Sequence, residues 1–264
     1  MPLLEVQSVS KSFGGVLAIK AVSLLINRGE IVSLIGPNGA GKTSFFNSIT
    51  GLVKIDSGKI FFSARGGPAV GGKDSKIRLE GLAPHEIMKK GIARTFQNLR
   101  IFKNMTLLEN VSIGFHSRTR SNLWDAFLNT RRLKVEERMI FVKSLEYLRF
   151  VGLEELGNEV AGNLPYGSQK RIEIARALAC DPKLLLLDEP AAGMNPTEKD
   201  EIALIIRRIR EKGIAVLLIE HDMKVVMPLS DRVVVMDDGQ KIAEGTPEEI
   251  QKNQRVIQAY LGQD

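Results

Sequence analysis

The stretch EIVSLIGPNGAGKTSFFNSIT, residues 30–50, decides the fold. Its first part, EIVSLIG, is a continuous apolar run of strand length, the mark of a strand buried on both faces. A glycine-rich turn follows, and residues 43–51 then read as a helix. Within that frame GPNGAGKT, residues 36–43, matches G-x-x-x-x-G-K-[ST], and the strand-loop-helix context gives the match meaning. Gly36, Gly39 and Gly41 let the backbone curl until successive N–H groups face inward at phosphate oxygens, with Pro37, Asn38 and Ala40 completing the loop. The helix that starts at Thr43 and Ser44 adds its positive end. Lys42 is expected to reach the β- and γ-phosphates of ATP, and Thr43 to offer its hydroxyl to Mg²⁺. A second glycine-lysine run, GGPAVGGKDS at 66–75, lacks a leading strand and has Asp74 where a hydroxyl is required, so it reads as part of an exposed loop over 63–78.

KLLLLDEP, residues 183–190, sets Asp188 and Glu189 at the end of another buried strand. Open parallel sheets bind ligands at the carboxyl ends of their strands, so the pair would face the phosphate loop if the two strands were neighbours. Asp188 would then hold Mg²⁺, and Glu189 would polarise the attacking water.

Elsewhere strands and helices alternate. Residues 3–13 and 17–26 read as strands around a Gly-Gly turn, and residues 84–90 and roughly 106–160 as helical. The second half reads as helix 168–180, strand 183–188, helix 197–212, strand 214–219, helix 223–228 and strand 232–236. Asn195-Pro196-Thr197-Glu198 and Thr246-Pro247-Glu248-Glu249 sign two helix starts. The pattern is α/β, with a mainly parallel sheet covered on both faces and an inserted helical block at 100–163.

The chain has 264 residues, 44% of them hydrophobic and 26% charged, enough for one sizeable core. No apolar run is long enough to span a bilayer, no signal-peptide layout opens the chain, and the single Cys180 fits a reducing compartment. The expected location is cytosolic. The net charge of +6 is partly concentrated in residues 118–149, where eight Lys/Arg stand against four Asp/Glu. A solvated helical face, or anionic head groups beside it, is the expected reading there rather than nucleic acid.

Three further stretches narrow the reading: RTFQNLRIF at 94–102, LPYGSQKRIEIARALACDP at 164–182 and LLIEHDM at 217–223. With them the chain resembles the ATP-binding subunits of ABC transporters over essentially its whole length. Phosphate loop, glutamine loop, signature turn, acid strand and histidine switch occur in that family's order. The resemblance implies a P-loop NTPase with a RecA-like core, an N-terminal antiparallel β subdomain and an inserted α-helical subdomain, all in one domain over 1–264. Residues 1–99 and 164–240 would form the core with its β subdomain, 100–163 the helical subdomain, and 241–264 a C-terminal helical extension.

The resemblance also assigns roles. Gln97 would sense Mg²⁺ or the attacking water, His221 would contact the γ-phosphate and orient Glu189, and Phe13 would stack on adenine, although it also reads as a core residue. Gly167 and Ser168 would cap the ATP of a second ATPase subunit, met head to tail in a homo- or heterodimer. The family's Leu-Ser-Gly-Gly-Gln here becomes Leu164-Pro165-Tyr166-Gly167-Ser168, which removes the serine hydroxyl, and Asn195 replaces a more usual aspartate. EPAAGMNP, IEHDM and EGTPEEIQKNQRVIQAYLG are similar to the ATPase subunits of branched-chain amino-acid importers. That likeness implies integral membrane permease subunits as partners, for which Leu99, Ile101, Phe102 and Met105 offer an apolar contact, and indirectly a substrate-binding protein. It also implies a peripheral position on the cytoplasmic face of the inner membrane. Lipopolysaccharide export, or a soluble ABC ATPase, is the competing assignment.

Overall fold

A computed structural model describes residues 2–63, 76–117 and 131–261. Its strands are β1 (Leu4–Phe13), β2 (Val16–Ile26), β3 (Ile31–Ile35), β4 (Ser57–Ser63), β5 (Lys76–Arg78), β6 (Ile92–Arg94), β7 (Leu184–Asp188), β8 (Ala215–Ile219), β9 (Arg232–Asp237) and β10 (Gln240–Gly245). The α-helices are α1 (Lys42–Ile49), α2 (Pro84–Lys89), α3 (Leu107–Ile113), α4 (Arg131–Phe150), α5 (Tyr166–Ala179), α6 (Pro196–Glu211), α7 (Met223–Leu229), α8 (Pro247–Gln251) and α9 (Gln254–Leu261).

The larger sheet runs β10-β9-β3-β8-β7-β6. β9, β3, β8, β7 and β6 are parallel, and β10 closes one edge antiparallel. Every residue of β3, β7 and β8 is buried, because helices cover one face and α1 with the smaller sheet covers the other. Leu185, Leu187, Val216 and Leu218 join one apolar cluster, with Ile172 and Ile206 from α5 and α6. Leu184, Leu186, Ala215 and Leu217 alternate into a second cluster with Phe45 and Phe46 of α1. Each such leucine contributes about 1.5–3 kcal/mol on burial, so the strand ends that carry the chemistry are anchored from both sides. The smaller sheet, β2-β1-β4-β5, is antiparallel and packs Val6, Leu24 and Phe62 into that second cluster.

Local signals match where the sequence marks them. Asn195 caps α6, its side chain accepting the Glu198 N–H at 3.0 Å while Glu198 accepts the Asn195 N–H at 3.0 Å. Thr246 and Glu249 close α8 the same way. Each cap is worth about 1 kcal/mol.

Two expectations need correction, and one open condition is settled. The helical block is not continuous: α3 ends in a 3₁₀ turn over Gly114–Ser117, and further 3₁₀ turns follow α4 at Glu154–Leu156 and Ala161–Asn163. The C-terminal extension begins not with helix but with β10, a partly exposed edge strand whose polar sequence QKIAEG carries no clean alternation. The acid strand is not a neighbour of β3, because β8 lies between them. β4 and β6 had no clear sequence signature, β6 being only Ile92, Ala93 and Arg94. The second glycine-lysine run and residues 118–130 lie outside the described residues.

Candidate nucleotide site

The phosphate loop leaves β3 at Gly36, whose φ is +150°. A Cβ there would run into the Met236 carbonyl of β9 and sit 3.3 Å from Ala40 Cβ, so both the backbone and the packing require glycine. Gly41, at φ +91°, is the N-cap of α1, and a Cβ there would collide with the Ala18 carbonyl of β2. The loop is thus moulded against both sheets. Lys42 Nζ donates to the carbonyls of Gly36 at 2.6 Å and Pro37 at 2.8 Å, curling across the loop. Burial lowers the Lys42 pKa, opposed by the charges of Glu189 and Asp188, which therefore lie close to it despite the intervening strand. Asn38, Gly39 and Thr43 are exposed at the loop's mouth, and Ser44 is half-buried. The first turn of α1 holds no acidic side chain to offset its positive end.

β8 supplies what separates the two motifs. Asp188 pairs in register with Ile219, so Glu220 and His221 emerge beside Asp188 and Glu189. Glu189 adopts φ +46°, an uncommon conformation for a non-glycine residue and one of the kind that collects at functional sites. Its N–H donates to the Ile219 carbonyl at 2.9 Å, which ties the strained residue to β8. Gln97 Nε2 donates to Glu189 Oε2 at 3.3 Å, and His221 Nδ1 stands 3.7 Å from Glu189 Oε1. The structure therefore gathers Gln97, Glu189 and His221 around one carboxylate. Asp188 is buried, and Arg94 Nη2 donates to its Oδ2 at 2.8 Å. Burial still pushes the Asp188 carboxyl above the usual carboxylate range, with Arg94 pulling the other way.

The signature turn opens α5. Pro165 is its N-cap and provides no side-chain cap, so the first N–H groups of the helix lack intrahelical acceptors. Gly167 packs closely on the first turn of α6: a Cβ there would fall 2.6 Å from Glu198 Oε1 and displace that side chain. Ser168 is buried, and its hydroxyl accepts from Arg171 Nη2 at 3.1 Å. Phe13 is 46% exposed at the end of β1, with Lys11 Nζ 5.5 Å from its ring centroid, so it is not a core residue. Ile101 packs against the core, Leu99 is half-buried, and Phe102 and Met105 are exposed. Beside them a cleft of about 700 Å³ opens between the sheet edge and the helical block, lined by Ile87, Met88, Phe96, Phe102, Ile113 and Cys180.

A family profile described as ABC transporter matches residues 19–192, from β2 past the acid strand. The chain belongs to the ABC transporter family. A second profile, the branched-chain amino acid ATP-binding cassette transporter, matches residues 240–264. The cassette is 43% identical to the high-affinity branched-chain amino acid transport ATP-binding protein BraF of Pseudomonas aeruginosa, covering 99% of this chain and 98% of that one. Among solved structures it resembles a nucleotide-free ATP-binding cassette from an ABC transporter, with TM-score 0.83, 34% identity and full coverage of both chains. It also resembles a dimeric post-hydrolysis state of an ATP-binding cassette bound to ADP and Pi, with TM-score 0.74 and 26% identity over 92% of this chain and 98% of that one. Among the described residues of this cassette, no helix is long and apolar enough to cross a membrane.

Four residues of the ABC cassette's site escaped sequence reasoning: Arg94, Lys170, Glu173 and Glu220. Glu220 is buried and accepts the N–H groups of Ala191 at 2.9 Å and His221 at 3.2 Å, joining the turn after Glu189 to the switch histidine. Burial raises its pKa against those two hydrogen bonds. The available signal was a charged residue directly following the apolar run of β8.

Proposed function

We propose that this cassette hydrolyses ATP to power a membrane importer of branched-chain amino acids. The observation that carries the reading is the Glu189 carboxylate, held between Gln97 and His221 near Lys42 of the phosphate loop. Phosphoryl transfer needs positioning and charge stabilisation more than covalent chemistry. The loop N–H groups of residues 38–44 and Lys42 bind the triphosphate, while Phe13 offers an open ring for adenine. Glu189 accepts the proton of a water that attacks the γ-phosphorus, as the bond to the bridging oxygen breaks and ADP departs. His221 and Gln97 orient that carboxylate and the water.

The exposed Thr43 hydroxyl and the Asp188 Oδ1 oxygen are hard oxygen donors, as Mg²⁺ prefers, and Gln97 Oε1 can join them. When bound, Mg²⁺ neutralises developing phosphate charge. A second cassette, head to tail, would present Gly167 and Ser168 N–H groups and a helix end to this chain's γ-phosphate. That geometry works through backbone donors and needs no hydroxyl at Pro165.

The apolar cleft beside Gln97 suits a helix from an integral membrane permease subunit. On this reading the cassette is a peripheral subunit on the cytoplasmic face of the membrane, linked to a substrate-binding protein only through the permease, with no role for nucleic acid. The branched-chain substrate rests on the match at residues 240–264 and on the BraF-like sequence. Deleting the gene should abolish uptake of labelled leucine, isoleucine and valine, and the parent should restore it while Glu189→Gln does not. Unchanged uptake of all three on deletion would remove the substrate assignment.

A further inference from the structure

Helix α5 carries a buried ion pair that the reaction as described does not use. Lys170 is 1% exposed and Glu173 is 2% exposed, on a helix face they share with the buried Ile174 and Ala177. Lys170 Nζ donates to the Phe96 carbonyl at 2.9 Å, to the Gln97 carbonyl at 3.3 Å and to Glu173 Oε2 at 3.4 Å. Glu173 Oε1 accepts the Phe96 N–H at 3.1 Å. An ammonium has three donors, and all three are engaged here. The main chain on both sides of Phe96, and the carbonyl of Gln97 itself, are thus fastened to the first two turns of α5. The Gln97 side chain reaches out from that anchor to Glu189 Oε2.

Burying two charges is expensive unless each is hydrogen-bonded, and a well-packed apolar pair is often as stable or more so. The pair therefore has little to recommend it as stability alone, whereas it fixes one backbone segment with unusual completeness. Gly167 lies one turn from Lys170 on the same helix. Any shift of the α5 N-terminus is carried directly to the peptide that aims Gln97.

We propose that Lys170 and Glu173 are positioning residues that hold Gln97 on Glu189, and that they couple the signature turn to the hydrolytic carboxylate of the same chain. The coupling half rests on the trans-acting role given above to Gly167. ATP seated against the signature turn of one cassette thereby adjusts Gln97 in that cassette's own site, so the two sites of a dimer respond to each other.

The test is steady-state ATP hydrolysis by the full chain carrying Lys170→Met with Glu173→Leu, which removes both charges and strands neither. Turnover should fall about tenfold or more while affinity for a fluorescent ATP analogue stays within about twofold. The Hill coefficient for ATP should exceed 1 in the parent and drop to 1 in the variant. In a Gln97→Ala background the same pair of substitutions should change turnover by less than about twofold, because the residues act through Gln97. Parental turnover in the variant, an equal loss in the Gln97→Ala background, or a parental Hill coefficient of 1 would each overturn the proposal. If the double variant does not fold, Glu173→Gln, which keeps an acceptor for the Phe96 N–H but weakens the hold on Lys170, is read by the same criteria. Glu189→Gln run alongside separates the failures. If it hydrolyses ATP normally, the site reading falls; if it is inactive while the Lys170/Glu173 variant is parental, only the coupling falls.

Discussion

Replacing Arg94 with methionine should destabilise the cassette severely, and a second substitution should reverse most of the loss. The Arg94 side chain is 8% exposed and that of Asp188 2%, with 2.8 Å between Nη2 and Oδ2. Arg94 also donates to Asn47 Oδ1 at 2.6 Å and Thr50 Oγ1 at 3.3 Å, so one guanidinium ties α1, β6 and β7 together. Removing one partner of a buried pair leaves an uncompensated charge and costs about 3–5 kcal/mol. For a chain of this size 1 kcal/mol moves Tm by about 2–4 °C, so a drop on the order of 10 °C is expected. The pH dependence follows from Asp188, whose carboxyl burial already raises above its usual range. A raised carboxyl binds its proton more tightly in the folded chain, so stability falls as pH climbs from the unfolded value through the folded one. Losing Arg94 raises that carboxyl further, making the deficit largest near about pH 8 and smaller toward about pH 5. Arg94→Met with Asp188→Asn removes the orphan charge and should recover all but about 1–2 kcal/mol. Urea titrations at both pH values measure all of this. A deficit under about 1 kcal/mol at the higher pH, or a double variant no better than the single, would refute the reasoning.

Two smaller perturbations probe the turns. Gly36→Ala should lose about 1–3 kcal/mol by thermal melt, since its Cβ would press on the Met236 carbonyl at a φ that L-residues rarely adopt. Pro165→Ser gains a capping hydroxyl worth about 1 kcal/mol but gives up the ring's restriction of the unfolded chain, so stability should stay within about 1 kcal/mol. Its hydrolysis rate should change by less than about tenfold, because the turn works through N–H groups; a larger change would show that the missing hydroxyl matters.

The parts legible in the sequence were those whose chemistry is local. The phosphate loop, the acid strand, the two capping boxes and the buried strands β3, β7 and β8 each declare themselves within about a dozen residues. Gln97 and His221 were found through ordered motifs, and the structure sets both beside Glu189. What stayed hidden depends on long-range pairing. Arg94 belongs to a three-residue strand with no periodicity to detect, and its partner stands 94 positions away. Lys170 and Glu173 look like the exposed charges of an ordinary helix, yet that face is buried against the Gln97 segment. Strand order likewise follows from tertiary pairing, so the sequence left open that β8, and with it Glu220, stands between the two motifs. The Ser168 hydroxyl, beside the signature glycine in sequence, is engaged in the fold by Arg171.

The central claim is that Glu189 activates the water that cleaves ATP. Phosphate release by Glu189→Gln, measured together with ATP affinity and light scattering, tests it most directly. General-base catalysis contributes about 10²–10⁴-fold, so turnover should fall by that factor while ATP still binds and holds two cassettes together. Phosphate release at the parental rate would contradict the account.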